Sequence, residues 1–195
     1  VNPLPIVFEF LEGKKGKIVD LGCGAGRNMI KNDNIEYFGV DFSAGQIKNA
    51  KKYVEKEKIN SRLFKSDISK LNKETFKNEM FDYGLFISTL HCIESKEKRM
   101  NALKEFYRIL KKDAQGLISV WDSNDKRFSH IDKKEGDIYL SWKENGKIHM
   151  RFYHLYNKTD LLKLLEKTGF KVLEIYNPRK HDRFSKKNLI IRVKK

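Results

Sequence analysis

The chain is 195 residues long, enough for one domain whose core needs neither disulfides nor metals, and it has only two cysteines, Cys23 and Cys92. That pair cannot make a disulfide framework or a four-cysteine zinc site and suits a reducing cytoplasm, and no apolar run reaches the roughly 20 residues that span a bilayer. The formal net charge of +15 creates a field that attracts polyanions, nucleic acid above all, although lysine enrichment also follows from genome composition or adaptation to heat.

The opening segment to Leu11 is broken by two prolines and a glutamate and has no basic flank, so it does not read as a signal peptide. A helix is expected over 3–11. Short β-branched runs then alternate with amphipathic stretches, the pattern of a parallel sheet covered by helices. Strands are expected at 17–21, 36–40, 61–65, 81–87 and 115–121, and helices near 26–31, 43–57, 95–111 and 157–168. In the helix that opens at Ser95, Met100, Leu103, Phe106, Tyr107 and Leu110 form the apolar stripe. Lys98 and Arg99 fall on its outer face, and Lys111-Lys112 suit the negative end of its dipole.

Beyond Trp121 the alternation stops. Residues 122–136 are polar, and 138–142 and 147–153 then alternate around Glu144-Asn145-Gly146, a strong hairpin signal. The inserted segment, about 122–156, adds no obvious core and is expected to lie over the site. The chain closes with strands at 170–176 and 188–193. From Tyr176 to the end, Arg179, Lys180, Arg183, Lys186, Lys187, Arg192, Lys194 and Lys195 face one acid, Asp182, with His181 and Phe184 between them. Such a strip would track phosphates and make binding salt-dependent.

The chemistry concentrates where the first strand meets the next element. Asp20, Gly22, Gly24 and Gly26 follow that strand, and the glycines let backbone turn tightly and approach a ligand. Their G-x-G-x-G spacing differs from the G-x-G-x-x-G that seats a dinucleotide pyrophosphate, which argues against a nicotinamide-binding domain. Asp41 ends the second expected strand, where an acid can accept from both ribose hydroxyls of a nucleoside. Asp67-Ile68, after the third strand, would meet the adenine.

Asp20, the glycines and Asp41, in this order of elements, resemble the S-adenosylmethionine site of class I methyltransferases. The resemblance implies a Rossmann-like, doubly wound, seven-stranded α/β sheet with an antiparallel last strand and a single domain over 1–195. It assigns cofactor contacts to Asp20, Gly22, Cys23, Gly24, Gly26, Asn28, Asp41, Phe42, Ser43, Asp67, Ile68 and Ser88. Four segments look like the tRNA wobble-uridine methyltransferases that esterify 5-carboxymethyluridine. They are 4–12, 41–45, Leu90-His91-Cys92-Ile93 with Glu97-Lys98-Arg99, and Arg151-Phe152-Tyr153-His154-Leu155-Tyr156. That similarity places substrate-side residues at His91, Arg99, Arg151 and His154. It implies the anticodon stem-loop of tRNA as substrate, a cytoplasmic enzyme, no resident metal, no membrane, and a small zinc-containing activator protein as partner. Where the family carries a second histidine this chain has Cys92, so a paired-histidine role does not carry over.

Physical chemistry points the same way. A carboxylic acid with a pKa near 4 is already a nucleophile at neutral pH, so the enzyme must supply alignment rather than a strong base. Arginine suits that task through planar two-pronged bonds to carboxylate or phosphate. Two other readings share the glycine motif: a methyltransferase for a small carboxylate or hydroxyl acceptor, and an inert RNA-binding or partner-binding subunit.

Overall fold

The structure is a computed structural model and describes residues 2–131, 136–178 and 187–195. Seven strands form one sheet in the order β3-β2-β1-β4-β5-β9-β8. They are β1 (Gly16–Leu21), β2 (Ile35–Asp41), β3 (Ser61–Lys65), β4 (Phe81–Ile87), β5 (Leu110–Trp121), β8 (Lys171–Tyr176) and β9 (Asn188–Lys194). β1 to β5 pair in parallel, and β9 inserts antiparallel between β5 and β8. The expected sheet and its reversed last strand are present.

Strand alternation explains how the sheet is covered. Val19, Phe38, Phe86, Ile118 and Ile191 point to one face, where they pack on α3 (Lys96–Ile109) and α4 (Lys158–Lys167). Their neighbours Ile18, Tyr37, Leu85, Leu117 and Ile190 point to the other, under α1 (Pro5–Leu11) and α2 (Ala44–Lys56). α3 sits so close that a Cβ on Gly84 would lie 2.2 Å from the Phe106 ring. Ser95 caps α3 by accepting from the Lys98 amide, as its position suggested.

Four expectations need correction. No helix forms at 26–31. Gly24 and Gly26 hold φ of +53° and +83°, the amides of Gly26 and Met29 close tight turns onto Cys23 and Gly26, and β2 begins at Ile35 before a helix has room to develop. α3 stops at Ile109, and Leu110 to Lys112 open a longer β5, with Lys111 paired to Asp82 at 2.6 Å instead of capping the helix. Arg99 is not on the outer face but is 4% exposed. The C-terminal basic strip is not one surface among the described residues. Lys194 and Lys195 lie at the amino end of β5, held by Asp113 and Glu79, and Arg192 reaches Glu174. Residues 179–186 of that strip lie outside the described residues.

The hairpin forms as expected, from β6 (Asp137–Glu144) and β7 (Lys147–His154), turning at Asn145 and Gly146 with φ of +50° and +78°. No helix among the described residues is long and apolar enough to cross a membrane.

Candidate active site

The sheet order reverses between β1 and β4, the place where open α/β sheets bind ligands. A cleft of about 400 Å³ opens there. It is lined by Gly22, Cys23, Gly24, Ala25, Arg27 and Asn28 of the loop, by Gln46, Asn49 and Tyr53 on α2, and by Ile87, Ser88 and Leu4. The loop is pinned to β2, since Gly22 and Cys23 donate their amides to Val40. The Asp41 carboxylate accepts from the Gly24 amide at 3.0 Å and from the Ser43 amide at 2.9 Å. Ser43 in turn caps α2 by accepting from Gln46. At Gly22 (φ +76°) a Cβ would lie 2.2 Å from Thr89, so only glycine fits. At Gly24 the nearest atom to a Cβ is Gln46 Oε1 at 4.0 Å, so this backbone faces open space.

Beneath the loop Asp20 is buried, and its pKa is raised to about 7 by that burial and by the nearby charge of Asp41. Its Oδ2, like Asn28 Oδ1, has no partner among the described residues. Phe42, just past Asp41, is 76% exposed. Ser88 holds φ +53°, a conformation that strains a non-glycine residue by about 1–2 kcal/mol. Its amide donates to the Ser119 carbonyl and hydroxyl, which secure that backbone. Asp67 Oδ1 accepts from the amide and hydroxyl of Ser69, and Ile68 is buried; neither lines the cleft.

A second cluster lies where the hairpin meets the body. A 3-10 turn, Leu90–Cys92, buries His91 against a pair of stacked rings. Its imidazole is 4.9 Å from Trp121 and 5.9 Å from Tyr153, Trp121 lies 4.2 Å from Tyr153, and Phe128 continues the stack at 5.5 Å. Burial, helped by the charge of Arg127, pulls the His91 pKa down to about 3, so the ring is neutral at physiological pH. Its Nδ1 has no partner among the described residues.

Arg99 points into the same region from below. It donates to the carbonyls of Ile93 and Glu94, lies 5.9 Å from the Phe152 ring, and approaches Asp137 at 4.0 Å. Asp137 also meets His154 Nδ1 at 2.5 Å. Burial lowers the His154 pKa, opposed by that contact. Arg151 and His154, three apart on β7, project to opposite faces of the hairpin. Arg151 is exposed and lies over the Trp142 ring at 5.0 Å. Packing raises the Cys92 thiol to about 11, and the Arg151 charge opposes that shift.

A methyltransferase domain model matches residues 12–169. The chain belongs to that family. The tRNA (carboxymethyluridine(34)-5-O)-methyltransferase of Schizosaccharomyces pombe is 29% identical, over 89% of this chain and 82% of its own length. A putative methyltransferase of Encephalitozoon cuniculi is 29% identical, over 80% of this chain and 71% of its own. Among solved structures, an S-adenosylmethionine-dependent methyltransferase of Methanosarcina mazei aligns with a TM-score of 0.81 at 21% identity, covering 100% of this chain and 99% of that one. That likeness concerns the fold.

S-adenosylmethionine is the cofactor of this methyltransferase, and the cleft fits it. The open backbone at Gly24 admits a ligand closely; next to the cleft but outside its lining, as Asp41 and Ser43 also are, the unpartnered Asp20 oxygen suits a cationic group and exposed Phe42 offers an aromatic face. Sequence reasoning missed Gln46, Asn49 and Tyr53, although positions 46, 49 and 53 share one face of a helix. It also missed Asp137, Trp121 and Ser119. Their roles depend on contacts between elements distant in sequence, which no local pattern announces.

Proposed function

We propose that this methyltransferase acts on tRNA and esterifies the carboxylate of 5-carboxymethyluridine at the wobble position. The observation that carries the proposal is the pairing of a buried, neutral His91 stack with exposed Arg151, within reach of the cofactor cleft through Ser88 to Cys92. The naming of the fission-yeast relative supports it.

When bound, S-adenosylmethionine supplies an electrophilic methyl group on a sulfonium. A carboxylate acceptor, already ionised at neutral pH, would need no proton removed by this chain before taking that methyl group. The residues present suit this demand. His91 is held neutral, so it can neither protonate an approaching carboxylate nor blunt its nucleophilicity through an ion pair. Arg151 offers a planar cation to orient the carboxylate or an adjacent phosphate. Asp137 fixes the His154 ring through Nδ1, which leaves Nε2 to read a polar edge of the base. Arg99 is occupied by backbone carbonyls and serves to hold the turn that carries His91.

The test is mass analysis of nucleosides from tRNA lacking the methyl ester, before and after incubation with enzyme and S-adenosylmethionine. The methyl ester of carboxymethyluridine should appear. Arg151→Ala should reduce transfer about a hundredfold or more while keeping thermal stabilisation by S-adenosylhomocysteine. Methylation confined to small metabolites would overturn the tRNA reading, and lost cofactor stabilisation in the variant would show that Arg151 belongs to the other end of the site.

A further inference from the structure

The hairpin does more than cover the site. Residues 141–150 are all exposed, and a two-stranded ribbon without a packing partner is marginal in water. Yet Trp142, Ile148 and Met150 make up three of the seven exposed large hydrophobics among the described residues. A free arm with that composition is built to be covered.

Strand alternation says what its cationic face can cover. Ile138, Leu140 and Trp142 on β6 share one face with Tyr153, Arg151 and His149 on β7. At the root of that face Tyr153 belongs to the His91 stack. One two-residue step outward comes Arg151, opposite Leu140, and one further step brings Trp142 opposite His149. With a rise of about 3.4 Å per residue, Trp142 lies roughly 14 Å along the strand from the level of Tyr153. Its ring is framed by the Arg151 guanidinium at 5.0 Å and the His149 ring at 5.1 Å, with Lys147 opposite Glu144 at the next outward position. An exposed tryptophan ring beside an arginine on a face leading out of a site matches a single-stranded nucleic acid, whose bases stack and whose phosphates seek positive charge.

We infer that Trp142 is a stacking platform for an unpaired base flanking the target nucleotide, with Arg151 between the two positions. This rests on the tRNA reading and adds to it a specificity contact outside the reacting centre.

The experiment uses an anticodon stem-loop RNA carrying the target nucleoside, and a set of twins each lacking one loop base at an abasic position. Binding and methylation are measured with the wild-type chain, Trp142→Ala and Trp142→Phe. One abasic position close to the target should weaken wild-type binding about tenfold, should not weaken Trp142→Ala further, and should behave in Trp142→Phe as in wild type. Equal losses in wild type and Trp142→Ala at every position would overturn the platform while leaving the enzyme's substrate intact. Failure of the wild type to methylate the complete stem-loop would overturn the tRNA reading itself. Binding to phosphatidylserine vesicles that Trp142→Ala abolishes, with RNA binding unchanged, would replace the platform with a membrane contact.

Discussion

Around the glycine loop, polar groups are tied down by backbone. Asp41 accepts from two amides, Gly22 and Cys23 bond across to β2, and Ser119 secures the strained Ser88. Along the outer hairpin residues 141–150 are all exposed, and the ring contacts of Trp142 are with His149 and Arg151 of the same hairpin. The loop is organised in advance for a ligand of fixed shape, whereas the arm offers surface and charge to a ligand that must be accommodated. The difference teaches that rigidity in this chain is concentrated around the cleft at the glycine loop, and adaptability is left to the outer hairpin.

The comparison breaks most sharply at Gly22. Its positive φ and the Thr89 contact leave no room for a methyl group, so Gly22→Ala should lower stability by about 2 kcal/mol or more and erase stabilisation by S-adenosylhomocysteine. Chemical unfolding and thermal shift measure both. If the arm is independent, RNA binding near room temperature should survive in that variant.

Next in size is pH. Asp20 titrates near 7 in the folded chain, and a cationic ligand favours its ionised form. Cofactor affinity should therefore climb as pH rises toward 7, by at most about tenfold per unit for one released proton, and level off above it. Calorimetry across pH 6 to 8 would show the slope, and Asp20→Asn should flatten it. Stability of the unliganded chain obeys two opposed terms. The raised pKa of Asp20 contributes stability that is full below the ordinary carboxylate range and lost as pH rises through 7. The depressed pKa of His91 contributes stability that is full above 6.5 and lost as pH falls toward 3.

The smallest effect belongs to the arm. Asn145 sits at φ +50°, so Asn145→Ala should cost about 1 kcal/mol within the hairpin. The melting temperature of the body should stay near its wild-type value while RNA affinity falls a few-fold, as a filter-binding titration would show.

Much of this was legible in the sequence because it is written in local periods and spacings. Alternating pairs such as Ile18-Val19 and Leu85-Phe86 announce strands covered on both faces, and Asn145-Gly146 announces the hairpin. The glycine triplet with Asp41 locates the cleft, but the Asp41 bond to the Gly24 amide was not readable, because it joins two loops that meet only after the sheet forms. Arg99 shows the same limit from the other side. Its helical position marks it as solvated, yet carbonyls from the preceding turn and Asp137 from the hairpin enclose it. The missing helix after Gly26 reflects a contest between propensity and chain length that left-handed glycines decide.

The chain has two tryptophans, one at the root of the hairpin and one on its outer part. Trp121 is sandwiched in the ring stack at the root, and Trp142 stands on the free arm beside a guanidinium. The protein thus carries two native optical reporters with different surroundings. In a chain with Trp121→Phe, emission comes from the arm alone, so a nucleic acid settling on it would be seen as quenching without any attached dye.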